Sequence, residues 1–208
     1  MTVSRELWAE NADLAAATLA HPFVRGLVDG TLPRERFAEY VAQDAFFLQA
    51  FARGYAMAVV RSPDRATLEA FADLLAGVRE ELRLHDGYAA REGVDLAAVL
   101  PAPATTAYGD FLLATAATGG LGEICAAMTP CMRLYAFLGQ SLVATAAGPY
   151  LEWVQTYADP AFERLAATLE GLLDAHADDA GGRVAARRAY RRAMQLELAF
   201  FDSASSSG

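Results

Sequence analysis

The sequence predicts an all-α protein, and three observations carry that expectation. Alanine supplies roughly a fifth of the 208 residues, and with Leu, Glu and Arg it gives strong helix propensity. Period-two alternation rich in Val, Ile and Thr, the mark of a strand, is sustained nowhere. Glycines and prolines fall between the periodic stretches, where they stop helices rather than interrupt them. The length suits a single core. With no repeat or linker visible, the expectation is one multi-helix domain over 1–202 and a flexible tail over 203–208.

The elements follow in order. A first helix is expected over 4–20 and a second over 22–29, ended by Gly30, because glycine reaches the left-handed cap conformation cheaply. Pro33 suits the first turn of a third helix over 33–61, where its missing N–H is not needed. Ser62-Pro63-Asp64 closes that helix and opens a fourth over 64–92, since the residue before proline avoids the helical region. Gly93, Pro101 and Pro103 mark the longest loop. Further helices are expected over 103–117, 121–146, 149–157, 160–177 and 182–203. Gly119-Gly120, Gly148-Pro149, Asp159-Pro160 and Gly181-Gly182 separate them.

Composition removes several mechanisms. All 17 basic residues are arginine, so no lysine can form a Schiff base, hold pyridoxal phosphate or grip phosphates in a P-loop. A net charge of -9 argues against nucleic acid, whose phosphates demand basic surface. The arginines at 183, 187, 188, 191 and 192 read as the solvated face of a late helix. No apolar run reaches the length of a membrane span, and Glu6, Glu10 and Asp13 occupy the place of a signal peptide's basic start. A cytoplasmic location is expected. Cys125 and Cys131 lie six apart on one helix and face different ways, which disfavours a disulfide.

Two predicted helices embed carboxylates in apolar faces. Phe37, Tyr40, Asp44, Phe47, Phe51 and Tyr55 recur at three- and four-residue steps, and Glu197 stands among Met194, Phe200 and Phe201. An unpartnered buried carboxylate costs several kcal/mol, so each acid needs a hydrogen-bonding partner, a ligand or a raised pKa. On the helix of 121–146, Pro130 removes one backbone hydrogen bond just before Cys131, and Tyr135 lies one turn beyond it. A kinked turn, a phenol and two acids make Cys131 a candidate nucleophile as well as a small core side chain.

His21-Pro22-Phe23-Val24, Tyr40-Val41-Ala42-Gln43-Asp44, Glu81-x-x-x-His85, Thr129-Pro130-Cys131-Met132-Arg133-Leu134-Tyr135, Trp153-Val154-Gln155-Thr156-Tyr157 and Leu196-Glu197-Leu198-Ala199-Phe200-Phe201 occur in this order. The set resembles the TenA/thiaminase II family over nearly the whole chain. The resemblance implies the heme-oxygenase-like helical fold, a homotetramer and no cofactor. The implied reaction is hydrolysis of an aminopyrimidine at its exocyclic methylene, releasing hydroxymethyl-pyrimidine for thiamin salvage. Aminomethyl-pyrimidine is the implied favoured substrate and thiamin a slower one. By motif, Cys131 corresponds to the nucleophile, Glu197 to its acid/base partner and Asp44 to the group that orients the amino-ring edge. Phe47, Tyr108, Tyr135, Tyr157 and Phe200 correspond to the stacking and hydrogen-bonding wall. The chain departs from the pattern at Met132-Arg133 and at Phe47, where aromatic residues and a tyrosine respectively are common.

Two other readings stand beside this one. A non-haem di-iron oxidase on the same fold would use Glu81 and His85, an i,i+4 pair able to share a metal, with Glu123 and His176. The plainer account of that pair is a core histidine fixed by Glu81. A non-catalytic, pyrimidine-binding regulatory protein is the third reading. The alanine-rich face of 103–117 is the candidate subunit contact.

Overall fold

Asn11 divides the first predicted helix in two. Its side-chain amide donates to the Leu7 carbonyl at 2.8 Å, satisfying an acceptor that would otherwise continue the helix. Helices α1 (Val3–Glu10) and α2 (Ala12–Leu19) therefore meet at a corner. The remaining elements are α3 (Pro22–Asp29), α4 (Arg34–Arg61), α5 (Arg65–Glu92), α6 (Pro103–Thr118), α7 (Leu121–Leu142), α8 (Leu151–Ala158), α9 (Pro160–His176) and α10 (Ala180–Ser206). The structure is a computed structural model that describes residues 1–93, 95–96 and 98–206, and no strand occurs among them.

Local chemistry sets the ends. The Asp64 carboxylate accepts from the Thr67 amide at 2.8 Å and Asp159 from the Ala161 amide at 2.6 Å, capping α5 and α9. Gly30 closes α3 with φ 68°, the left-handed conformation expected of it. Helix α7 stops at Leu142 rather than 146, because the Thr145 amide and hydroxyl both turn back to the Leu142 carbonyl. Helix α10 starts at Ala180, before the glycine pair, since Asp179 accepts from the Gly182 amide at 2.8 Å. It runs on to Ser206 with Ala204 buried, past the boundary drawn at 203. Residues 207–208 of the expected tail lie outside the described residues.

The arginine face of α10 is not simply solvated. Arg187 binds Glu6 and Glu10, and Arg191 grips Asp13 at 2.7 and 2.8 Å. Arginines one turn apart thus clasp α1 and α2 against α10. Water screens these exposed pairs, so each contributes little to stability.

Helix α7 is the central rod, buried from Gly122 to Leu142 on most of its surface. It packs against α8, α9 and α10, while α4 is sandwiched by α5 and α6. Two glycines on α7 let this happen. A Cβ on Gly122 would collide with the His176 backbone, and one on Gly139 with the backbone of Tyr157 and Ala158. The close approach at Gly139 presses the α8 backbone onto α7 and sets the position of Tyr157. Between α4, α5, α6, α7, α8 and α10 lies the aromatic interior that holds the polar groups. No helix among the described residues is long and apolar enough to cross a membrane.

Candidate active site

Every side chain that the sequence marks out for the site is buried in this interior. Asp44 and Phe47 come from α4, Tyr108 from α6, Cys131 and Tyr135 from α7, Tyr157 from α8, and Glu197 and Phe200 from α10. Cys131 lies one residue past Pro130, within an uninterrupted α7. Thr129 spends its hydroxyl on the Cys125 carbonyl at 2.7 Å. Both cysteines are free thiols.

The Cys131 thiol lies close enough to Glu197 for the two groups to influence each other's protonation, and the Tyr108 hydroxyl donates to the Glu197 carboxyl at 2.7 Å. Burial pushes Glu197 up to about 8; the bonds from Tyr108 and Cys131 pull against it, and nearby Asp44 adds to it. At neutral pH this carboxyl is mostly protonated, able to give a proton and to take one back. Burial, followed by the negative fields of Glu197, Glu81 and Asp44, raises the Cys131 thiol well above its ordinary value. The thiolate is therefore not the resting form. Its proton has a destination within reach in Glu197.

Asp44 has a partner that spacing did not reveal. Its Oδ2 lies 2.6 Å from His85 Nε2, with both groups almost fully buried. The other ring nitrogen, Nδ1, is 2.9 Å from the Glu81 backbone carbonyl. Burial lowers the His85 pKa, but the Asp44 carboxylate and Glu81 outweigh it and bring it to about 9. His85 is thus held as a cation opposite Asp44. The expected pairing of His85 with Glu81 is real only through the backbone. The Glu81 carboxylate instead accepts from the Tyr157 hydroxyl at 2.8 Å, and burial raises it to about 7.

The residues named in the metal reading have other contacts. His85 Nε2 faces Asp44 at 2.6 Å and Nδ1 faces the Glu81 carbonyl at 2.9 Å, and among the described residues no group of three or more His, Cys, Asp and Glu side chains is placed to hold an ion. His176 ends α9 and Glu123 begins α7; neither joins His85.

The walls are aromatic. Phe47 packs on Tyr108 at 4.6 Å between ring centroids and on Phe200 at 6.2 Å. Tyr135 meets Tyr157 edge-on at 4.7 Å. The Tyr135 and Tyr40 hydroxyls bond to each other at 3.1 Å, and Trp153 Nε1 donates to Tyr40 at 3.3 Å. Tyr40 and Trp153 are site supports that the sequence reading did not single out for this task. Tyr55 Oη is buried with no hydrogen-bond partner among the described residues, and burial raises its pKa. A flat ring with polar edges suits such walls.

Arg133, two residues past the cysteine, turns toward α9. It binds Glu163 and Glu170 on α9, at 2.9 and 2.6 Å. On the outer side of Glu81 and Met132, a cavity of about 430 Å³ lies among α5, α7, α8 and α9.

Known proteins similar to this chain share its family profile and its fold. Residues 8–207 match the profile of the TENA/THI-4/PQQC family. An aminopyrimidine aminohydrolase from Halalkalibacterium halodurans is 31% identical over 98% of this chain and 96% of its own length. A thiamine biosynthesis multifunctional protein, ThiED, from Corynebacterium efficiens is 35% identical over 99% of this chain, which spans only 28% of that longer protein. Among solved structures, a TenA family transcription regulator from Silicibacter sp. TM1040 superimposes with TM-score 0.92 at 28% identity, covering 99% of this chain and 97% of its own. Heme oxygenase-1 from Synechocystis shares the fold alone, with TM-score 0.68 at 14% identity over 98% of this chain and 92% of its own.

Proposed function

The chain belongs to the TENA/THI-4/PQQC family, and from that premise we propose that it is an aminopyrimidine aminohydrolase, a thiaminase II. It hydrolyses aminomethyl-pyrimidine, and thiamin more slowly, to hydroxymethyl-pyrimidine for thiamin salvage. The observation that carries this reading is the Cys131–Glu197–Tyr108 group: a buried thiol beside a buried carboxyl of raised pKa, itself held by a phenol at 2.7 Å.

The residues fit the chemistry step by step. The carbon bearing a leaving amine is a poor electrophile, but the aminopyrimidine ring accepts electrons when one of its nitrogens is protonated. Glu197 protonates that nitrogen and receives the thiol proton as Cys131 sulfur bonds to the ring carbon beside the substituent. The substituent departs, water adds to the exocyclic methylene, and the sulfur leaves to restore aromaticity. A raised thiol pKa suits this sequence, because the proton moves only when the ring is present to accept the electrons. Asp44, paired with His85, accepts from the amino group. Phe47, Tyr108, Tyr135, Tyr157 and Phe200 form the walls on which the ring stacks.

The family resemblance supports a cytoplasmic homotetramer with no nucleic-acid partner. Light scattering at micromolar concentration checks the assembly, and a monomer would count against it.

The decisive experiment incubates the protein with aminomethyl-pyrimidine and with thiamin and quantifies hydroxymethyl-pyrimidine by chromatography. Wild type is expected to release it, and Cys131→Ser to lose nearly all turnover. Full-rate turnover in Cys131→Ser removes the nucleophile assignment. Ring binding without turnover in wild type favours the regulatory reading, which the name of the Silicibacter relative supports.

A further inference from the structure

Glu81 has two faces. On one side its carboxylate accepts from Tyr157 and lies in the same electrostatic cluster as Asp44 and Cys131. On the other it lines the cavity of about 430 Å³, together with Met132, the residue after the cysteine. That volume is the size of a small-molecule site. Its wall is mostly apolar, with Leu84, Phe162 and Leu165 prominent, and its charged groups are all acids: Glu80, Glu81 and Asp159. No arginine or histidine lines it among the described residues. Apolar sides under a negative rim suit an apolar body that carries positive charge.

We infer that this cavity receives the leaving group, cationic or amine-bearing, and that Glu81 is the acid that protonates a departing amine. The inference rests on the aminopyrimidine reading and adds a second proton-handling arm to it. Glu197 serves the ring, and Glu81, with Tyr157 behind it, serves the substituent. As the bond from the exocyclic methylene carbon to nitrogen breaks, its electron pair stays on nitrogen. The Glu81 proton joins that pair, so the amine leaves neutral and Glu81 becomes a carboxylate. When water adds to the methylene carbon, oxygen bonds to carbon and the released proton returns to Glu81. The cycle closes without any outside reductant or oxidant.

This division of labour separates two substrates. A primary amine needs the proton in order to leave. The quaternary ring nitrogen of thiamin takes the electron pair and departs neutral with no proton, so Glu81 can help it only by attracting its charge. In Glu81→Gln, kcat on aminomethyl-pyrimidine is expected to fall about 100-fold or more, the usual worth of a general acid, while kcat on thiamin falls far less. An equal loss on both substrates overturns the inference, because a structural defect does not distinguish leaving groups. If Glu81→Gln does not fold, as judged by circular dichroism, Leu165→Trp decides. Narrowing the cavity is expected to lower kcat/KM for thiamin about tenfold or more relative to aminomethyl-pyrimidine, and an unchanged ratio overturns the inference. Wild-type protein that hydrolyses neither compound overturns the function itself and this inference with it; the wild-type control keeps that failure distinct from the variants' failure.

Discussion

The Asp44 carboxylate lies 2.6 Å from His85 Nε2 in a part of the protein that water barely reaches. One helix supplies the carboxyl and the next supplies the imidazole, so this pair links α4 to α5. Breaking a buried ion pair from one side leaves an uncompensated charge, at about 3–5 kcal/mol. His85→Ala is therefore expected to destabilise the protein by that order, read from urea denaturation. A loss below about 1 kcal/mol would show that the pair is not charged in the folded state.

Stability should fall as pH rises through the neutral range. Glu81 and Glu197 move from an ordinary 4.5 to about 7 and about 8, and His85 from 6.5 to about 9. All three are raised, so within these windows the folded protein holds more protons than the unfolded chain. For the two acids, stability begins to be lost above 4.5, and for His85 above 6.5; each loss is complete once pH passes the folded value. A melting temperature lower by about 5 °C or more at pH 9 than at pH 5 is expected. A flat or rising profile between these limits contradicts the assigned environments.

Alkylation reports the state of the cysteines. Burial raises both Cys125 and Cys131, and the thiolate is the form that reacts. Iodoacetamide at pH 8 is expected to modify neither in the folded protein at the rate of an exposed thiol, and both after unfolding in urea. Rapid labelling of Cys131 in the folded protein would point to a resting thiolate and a different activation route.

Gly139→Ala tests how Tyr157 is placed. The added methyl collides with the Tyr157 and Ala158 backbone, so α8 must move off α7. Overpacking of this kind costs about 1–3 kcal/mol. Turnover should fall more than stability accounts for, since Tyr157 and its bond to Glu81 shift together. Retention of full kcat and melting temperature would mean that α8 is not held as described.

Local sequence effects account for the helices and for the polar groups that need explaining. Alanine content, Gly–Pro punctuation and missing strand alternation set most elements within a few residues, because these are local effects. The stripe around Asp44 and the run around Glu197 were legible as acids on apolar faces, and the ordered motifs led to the family. The corner at Asn11 was not legible, because a side-chain amide facing back to Leu7 leaves no break in composition. The Arg133 clasp on α9 was equally hidden, since Glu163 and Glu170 are distant in the chain. Which acid has which partner follows from helix packing. Asp44 is paired with a histidine, Glu81 is given to Tyr157, and Glu197 is given to Tyr108 and Cys131. Periodicity states which face a carboxylate occupies. Its charge and role depend on what the neighbouring helix places within hydrogen-bond reach, and helix-to-helix register is fixed by close approaches such as Gly139 on α8.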